Sequence, residues 1–245
     1  MGSRSFVRSA LRQLLDFALP PRCPGCGTIV DDVHSFCAEC WKQIRFLGAG
    51  GCQRCGLPLE ATDMETCGAC LAKPPRLHRI RSAVVYDDIT RGVALRLKYG
   101  RKVALARTMA RYMAPLVGSA ESKLLTPVPL HRRRLWQRGF NQAAFIAAEL
   151  SKRSGGQFAP DLLQRVKRTP PLKGMSRLQR RRVVAGAFRA NPAADLRGKT
   201  VVLVDDVFTT GSTANACARA LRRAGAARIE FVSWARVVRP VNIDD

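Results

Sequence analysis

Apolar and polar positions follow two different periods along the C-terminal two thirds of the chain. Short β-branched runs such as Val201–Val204 fit buried strands, and longer segments with apolar residues three or four apart fit amphipathic helices. Strands are predicted at 82–88, 124–130, 201–207 and 227–238, and helices at 89–100, 102–117, 139–156 and 212–225, the last capped by Gly225. This alternation predicts an α/β fold with a mostly parallel sheet covered by helices on both faces.

The N-terminal part follows another pattern, set by cysteines. Eight of the nine cysteines form four C-x-x-C pairs, and the offsets of 29 from Cys23 to Cys52 and 30 from Cys37 to Cys67 indicate one unit repeated twice. A C-x-x-C turn holds two thiolates on one side of a knuckle, and two knuckles complete a tetrahedral zinc site. We therefore predict two structural zinc sites with sequential ligands, Cys23, Cys26, Cys37 and Cys40 in the first and Cys52, Cys55, Cys67 and Cys70 in the second.

Other interpretations of the cysteines stay open at this point. An interleaved pairing of the four knuckles is the lesser alternative, and disulfides suit a secreted chain better than one with a leftover thiol such as Cys217. Each site would carry a formal charge of −2, from one Zn²⁺ and four thiolates, so the module is not expected to be the main contact for nucleic acid. We therefore expect a structural role for the module, with docking of a partner protein as the alternative.

The remaining N-terminal residues complete the domain organisation. Residues 1–19 have apolar positions at helical spacing and predict a short amphipathic helix, residues 20–73 a double zinc ribbon, and residues 74–245 the α/β domain. No apolar run is long enough for a membrane span, so no membrane insertion is expected. Asp16 and the cysteines that follow favour a cytoplasmic chain over an organelle transit peptide.

Charge is concentrated in the α/β domain. The whole chain has a net charge of +24, yet residues 1–73 hold 8 Lys/Arg and 7 Asp/Glu, whereas residues 74–245 hold 34 and 11. Such a field favours polyanions, meaning nucleic acid or a phosphorylated small molecule.

The stretch VVLVDDVFTTGST carries the most specific chemistry. Asp205 and Asp206 (the acidic pair) close a buried strand, and Thr209–Thr213 (the Thr loop) leads into a helix whose free N–H groups and dipole favour a phosphate. The loop comprises Thr209, Thr210, Gly211, Ser212 and Thr213. Two carboxylates beside such a loop can accept hydrogen bonds from a vicinal diol. A diol site next to a phosphate site indicates a ribose 5-phosphate as the ligand. The plainer alternative is that the acidic pair begins a loop and Ser212 caps the helix.

These residues resemble a known family. VVLVDDVFTTGST is similar to the phosphoribosyl pyrophosphate (PRPP) signature of the type I phosphoribosyltransferases. Together with the double zinc ribbon, LKYG at 97–100, TPVPLHRRRLWQRGFNQA at 126–143 and GAF at 186–188, nearly the whole chain resembles the ComF family.

The resemblance implies a type I phosphoribosyltransferase fold that binds PRPP with Mg²⁺. The acidic pair would contact the ribose hydroxyls and the Thr loop the 5′-phosphate. Ribose 5-phosphate would pass to an unknown acceptor by displacement at C1 as pyrophosphate leaves, with Mg²⁺ held mostly by substrate oxygens. ComF-like proteins are associated with DNA uptake, so DNA-uptake proteins are expected partners.

Two arginine-rich stretches supply candidate phosphate contacts. The first, HRRRLWQRGFNQ, occupies the position of the family's pyrophosphate loop, and its cations are Arg132, Arg133, Arg134 and Arg138. We predict that PRPP is contacted by Arg133 and Arg138 of this stretch and by Lys98 of LKYG. Trp136 and Phe140 permit a second interpretation, single-stranded DNA stacking on rings beside arginines. A solvated loop with Trp136 packed on the sheet is the third.

The second stretch, residues 165–182, is the expected mobile catalytic loop, with Lys167, Arg168 and Lys173 as its candidate cations. A solvent-exposed tether or a DNA-contacting strip are the alternatives. If the loop and the acidic pair do not catalyse, the rival function is a non-catalytic DNA-binding or assembly protein of the uptake machinery.

Overall fold

The computed structural model describes residues 20–48, 50–59, 64–100, 102–170 and 174–238. The predicted helix at 1–19 lies outside the described residues, as does Lys173. The helices are α1 (Ala38–Gln43), α2 (Gly68–Ala72), α3 (Asp88–Tyr99), α4 (Leu105–Val117), α5 (Arg132–Arg138), α6 (Gln142–Ser154), α7 (Arg177–Val183) and α8 (Ser212–Arg223). The strands are β1 (Arg79–Val85), β2 (Lys123–Pro127), β3 (Gln157–Phe158), β4 (Leu163–Arg165), β5 (Phe188–Ala190), β6 (Thr200–Phe208) and β7 (Arg228–Arg236).

A five-stranded parallel sheet in the order β1-β7-β6-β2-β3 forms the centre of the α/β domain, as the sequence predicts. One face packs on α3, α4 and α6, and the other on α8. β6 separates the two cores by alternation, because Val202 and Val204 face the first core while Val201 and Leu203 face the second. The predicted α/β architecture is confirmed.

Several predicted boundaries shift for local reasons. β1 ends at Val85 because Asp87 caps α3 in a reciprocal capping box with Thr90. α8 ends at Arg223 with Ala224 as its C-cap, so the predicted cap Gly225 lies one residue further on, with a φ of 97°. The segment expected as a pyrophosphate loop is partly the helix α5, capped by His131 and ended by Gly139. The pattern missed it because none of its side chains is buried.

The short elements β3, β4, β5, α1 and α2 were not predicted either. β4 and β5 pair as a small antiparallel sheet outside the main one. Asn141 caps α6 through a hydrogen bond from the Ala143 N–H to its Oδ1. Trp136 is 88% exposed, so the interpretation that it packs on the sheet is wrong.

The cysteine module lies against the edge of the sheet. The Leu47 N–H donates to the Ala83 carbonyl, the Val85 N–H to that of Arg45, and the Ile80 N–H to that of Arg54, each at 2.9 Å. These bonds cover β1, which would otherwise be an open edge. Within the parts of the chain that the structure describes, no helix combines the length and hydropathy needed to cross a membrane.

Candidate functional site

Two sets of four cysteines converge, each from one copy of the repeat. Cys23, Cys26, Cys37 and Cys40 form the first set and Cys52, Cys55, Cys67 and Cys70 the second, with the ligand atoms of each set within 4.8 Å of one another. No disulfide joins any of the nine cysteines, which excludes the disulfide alternative, and the sequential grouping of the two sets excludes the interleaved one.

The sulfur spacing fits zinc. The Sγ atoms of Cys26 and Cys37 are 3.5 Å apart, and those of Cys55 and Cys67 are 3.7 Å apart. Four thiolates at about 2.3 Å around a tetrahedral Zn²⁺ would be about 3.8 Å apart. The two sites share an equivalent hydrogen bond to sulfur. The Cys37 N–H donates to the Cys23 Sγ and the Cys67 N–H to the Cys52 Sγ, with a distance from nitrogen to sulfur of 3.3 Å in both. These are two zinc sites of four cysteines each, in the first ribbon (residues 20–48) and the second ribbon (residues 50–73).

The acidic pair lies at the carboxyl end of β6, with one residue directed to each face of the sheet. Asp206 follows Val204 on the face of α3, where it is 3% exposed and its Oδ2 is 2.5 Å from the Lys98 Nζ. Asp205 lies on the opposite face and accepts the Asp206 N–H at 2.9 Å. The sequence predicted the pair but not this division.

The environment shifts the titration of these groups. Burial and the neighbouring Asp206 charge raise the pKa of Asp205 well above its ordinary value. Burial alone would lower the pKa of Lys98, but its attraction to Asp206 more than offsets this and raises it. Asp206 therefore has its own counter-charge, whereas Asp205 forms no ion pair with any of the described residues.

The Thr loop forms the predicted turn into α8. Gly211 adopts a φ of 71°, and a Cβ there would lie 2.8 Å from the Phe208 Cζ, so only glycine fits. Ser212 does not cap the helix; its hydroxyl pairs with that of Thr210 at 3.0 Å. Among the described residues, none accepts a hydrogen bond from the N–H groups of Gly211, Ser212 or Thr213. The start of α8 thus offers free donors, as a phosphate site requires.

A cavity of about 740 Å³, which we call the carboxyl-edge cavity, brings these elements together. Its lining includes the acidic pair, Thr209 and Thr213, and the cations are Lys98, Arg134, Arg138 and Arg165. Four cations against two carboxylates leave a positive balance, which suits a ligand with several negative charges.

The arginines of the cavity come from separate elements. The Arg138 Nη1 donates to the Gln142 Oε1 at 2.6 Å, and its guanidinium lies 5.2 Å from the ring centre of Tyr99. Arg165 lies at the end of β4 and donates to the Thr169 hydroxyl. Burial and the nearby charge of Arg134 lower the pKa of Arg165.

Some predicted cations lie elsewhere. Arg133 is exposed and does not line the cavity, whereas its neighbour Arg134 does. Lys167 and Arg168 are exposed outside the cavity lining, and the Lys167 Nζ donates to the Ala185 carbonyl at 3.4 Å. Lys173 lies outside the described residues.

Two residues that contact this region were missed by the sequence analysis. Arg165 was hidden in a long basic run, and Arg180 of α7 reaches the Thr209 hydroxyl at 3.3 Å. Only the tertiary fold distinguishes them from their basic neighbours.

A second groove of about 850 Å³ adjoins the cavity (the Phe groove) and shares Pro129, Leu130, Phe140 and Arg165 with it. Phe145 and Phe158 line it and are 40% and 36% exposed. His131 and Arg132 add polar groups at its wall.

Comparison with known proteins matches both parts of the chain. A family model described as "Double zinc ribbon domain" matches residues 14–71, and one described as "Phosphoribosyl transferase domain" matches residues 138–240. The "DNA utilization protein YhgH" of Salmonella typhi is 33% identical over 201 residues, 79% of this chain and 87% of that protein. The chain belongs to the ComF family.

Two further ComF relatives support this assignment. "Competence protein F" of Haemophilus influenzae is 31% identical over 224 residues, 88% of this chain and 96% of that protein. "Competence protein ComFC" of Bacillus subtilis is 23% identical over 198 residues, 78% of this chain and 79% of that protein. The expected type I phosphoribosyltransferase fold with a double zinc ribbon is therefore confirmed for this ComF protein.

Proposed function

We propose that this ComF protein binds PRPP, or a related ribose 5-phosphate, in the carboxyl-edge cavity and transfers the phosphoribosyl group to an acceptor as pyrophosphate leaves. The relatives are named competence and DNA utilization proteins, which supports a role for this chain in the uptake of DNA together with the uptake machinery. We infer from the sequence that it acts in the cytoplasm.

One observation carries the proposal: a single cavity is lined by the carboxylate pair, by four cations, and by Thr209 and Thr213, which begin and end the loop at the open start of α8. The Thr loop would bind the 5′-phosphate through N–H groups of α8, and Asp205 would accept hydrogen bonds from the ribose hydroxyls. Arg134 and Arg138 would bind the pyrophosphate, since guanidinium forks match phosphate oxygens.

The cavity fits Mg²⁺ that arrives with the substrate better than a resident ion. Asp206 is already paired with Lys98 at 2.5 Å, so Asp205 is the carboxylate that remains for an ion. Mg²⁺ would neutralise charge on the leaving pyrophosphate and keep most of its ligands from substrate and water. The protein's own contribution is positioning and charge complementarity.

The direct test is calorimetric titration with PRPP and Mg²⁺ of the zinc-loaded protein and of the Asp205→Asn/Asp206→Asn variant. We expect a Kd in the micromolar range, about −8 kcal/mol, that the double variant abolishes. Asp195→Asn is the matched control, because Asp195 is an exposed surface carboxylate paired only with Arg197 among the described residues. If the folded, zinc-loaded protein gives no binding heat with PRPP and Mg²⁺, the proposal is refuted.

Transfer itself is tested by pyrophosphate release. Candidate acceptors are added with PRPP and Mg²⁺, and released pyrophosphate is measured in a coupled assay. Release that depends on the acceptor and is lost in Asp206→Asn supports catalysis. Binding without release for any acceptor would leave a PRPP-binding protein.

A second function, binding of single-stranded DNA, is favoured by the Phe groove and by Trp136. Exposed rings lie beside Arg132 and Arg133, an arrangement suited to base stacking and phosphate contact. Anisotropy with a fluorescent oligothymidylate should show strongly salt-dependent binding. Arg132→Gln/Arg133→Gln/Trp136→Ala should weaken it, whereas Asp206→Asn should not.

A further inference from the structure

One buried arginine connects the second zinc site to the residue that packs under the Thr loop. Arg236, at the end of β7, is 8% exposed. Its Nη1 donates to the carbonyl of Cys55, in the Cys52/Cys55 knuckle of the second zinc site. Its guanidinium also lies over the Phe208 ring, 5.0 Å from the ring centre. A single side chain thus touches a zinc-binding knuckle and the last residue of β6.

Phe208 carries this contact to the loop. Its ring lies beneath Gly211, so closely that a Cβ on Gly211 would be 2.8 Å from the Phe208 Cζ. The ring also packs on Phe231, with centroids 5.2 Å apart, and the Phe208 carbonyl accepts the Val237 N–H at 3.0 Å. The turn at the start of α8 therefore packs on the Phe208 ring, and Phe231 and Arg236 contact the same ring.

Neither Arg236 nor Phe208 lines the carboxyl-edge cavity. Any effect of these residues on a ligand must pass through the position of the Thr loop. Interiors are close-packed, so displacement of a buried ring moves the backbone that rests on it.

A second buried arginine provides an internal comparison. Arg81 is 5% exposed and its Nη1 donates to the carbonyls of Cys52 and Gln53, at 3.3 and 3.1 Å. It serves the same zinc knuckle as Arg236. In the described part of the chain, neither a hydrogen bond nor a cation–π contact joins Arg81 to Phe208.

We propose that Arg236 is a positioning residue that couples the second zinc site to ribose 5-phosphate binding. The metal fixes the Cys52/Cys55 knuckle, and the Cys55 carbonyl and the Phe208 ring fix the Arg236 guanidinium. The Phe208 ring in turn positions the N–H groups of Gly211 and Ser212 to bind the 5′-phosphate. This inference rests on the proposed function, because it presumes that the Thr loop binds that phosphate.

The test measures zinc content and PRPP affinity in Arg236→Gln and Arg81→Gln, with the same calorimetric titration. Arg236→Gln should keep two zinc ions per chain and weaken PRPP binding about tenfold, which corresponds to about 1.4 kcal/mol. Arg81→Gln should keep the wild-type affinity. Amide exchange over residues 209–213 should accelerate in Arg236→Gln but not in Arg81→Gln.

Phe208→Leu separates positioning from loss of the fold. It removes the ring but leaves the hydrogen bond from Arg236 to the knuckle, so zinc should stay at two per chain while PRPP affinity falls. If Arg236→Gln does not fold, this variant decides, and unchanged affinity in Phe208→Leu overturns the inference.

The other outcomes are equally distinct. Equal weakening by Arg236→Gln and Arg81→Gln would mean a general loosening of the knuckle and would overturn the positioning role, as would no effect from either. If the wild-type protein does not bind PRPP, the proposed function fails and the coupling fails with it. Wild-type binding with an unaffected Arg236→Gln refutes the coupling alone.

Discussion

The two zinc ribbons are copies of one unit, but the α/β domain holds them by different means. The first ribbon is held by apolar burial: Phe36 enters the core and stacks on Trp234, with ring centres 6.3 Å apart and planes at 10°. At the equivalent position the second ribbon has Thr66, which is only partly buried. The second ribbon also packs Leu57 and Leu59 on apolar residues, and the buried guanidinium groups of Arg81 and Arg236 donate to its carbonyls. The arginine that donates to the first ribbon's Cys23/Cys26 turn, Arg96, is only partly buried.

This difference shows how a duplicated module acquires two roles. A zinc ion with four thiolates has a formal charge of −2, and the buried Arg81 and Arg236 of the α/β domain place two positive charges against the second site. Packing in the first ribbon stabilises the domain, whereas the polar contacts of the second extend to the Thr loop. The comparison makes five predictions, from the largest effect to the smallest.

The largest effect is expected from Phe36→Ala. Loss of a buried aromatic ring costs about 3–5 kcal/mol, while the four ligands of each zinc site are untouched. Urea unfolding should show the loss, and metal analysis should still find two zinc ions per chain. Leu71→Ala, which alters a side chain of the second ribbon that is 64% exposed, is the control and should change little. A stable Phe36→Ala protein would mean that the first ribbon is not anchored by its core residue.

Arg81→Gln should be the next in size. The carbonyls of Cys52 and Gln53 lose a charged donor and the second zinc site loses part of its compensation, which should cost about 2–3 kcal/mol. Arg111→Gln removes an exposed arginine that donates to Val33 and Ser35 in the first ribbon, and it should cost far less. Equal losses in urea unfolding would contradict polar anchoring as a property of the second ribbon.

The acidic pair extends the comparison to the two faces of the sheet. Asp206→Asn leaves Lys98, whose side chain is 22% exposed, without its partner and should destabilise the fold by about 2 kcal/mol. Asp205→Asn should instead stabilise it by about 1 kcal/mol, because it removes a desolvated charge beside Asp206.

The pH dependence of stability has the same origin. Because the pKa of Asp205 is raised in the fold above its ordinary value of 3.8, its contribution to stability is full below that value and is lost as the pH rises through the raised pKa. Thermal melts from about pH 5 to about pH 8 should show the gain from Asp205→Asn growing with pH. A gain that stays constant with pH would indicate that the buried charge of Asp205 is not its cause.

The smallest effect concerns the rate at which the two sites release zinc, with stability unchanged. Cys26 of the first site is exposed, whereas Cys52 and Cys55 of the second are buried. A chelating dye should therefore release one zinc ion quickly and one slowly. Phe36→Ala should accelerate only the fast phase and Arg81→Gln only the slow one. A single phase for both ions would show that the two sites are equally accessible.

Features encoded locally could be predicted from the sequence. The strand, acidic pair, Thr loop and helix of residues 200–223 follow one another directly, and the offset between Cys23 and Cys52 revealed the repeat. The sequential ligand sets needed no long-range information.

What was missed depends on tertiary contacts. Helix α5 lacks an apolar face, since Leu135 and Trp136 are 42% and 88% exposed. Arg134 and Arg165 enter the cavity while Arg133 does not, and nothing in a run of basic residues distinguishes them. The different anchoring of the ribbons by Phe36 and Arg236 appears only when the chain is folded.

The cover over β1 has a consequence for the life of the chain in the cell. Arg45, Leu47 and Arg54 satisfy backbone groups of β1 only while the ribbons are folded, and the ribbons fold around metal. A copy synthesised without zinc exposes a strand edge that can template pairing with another chain. We therefore expect chains made without zinc to be more prone to aggregation and proteolysis than zinc-loaded chains.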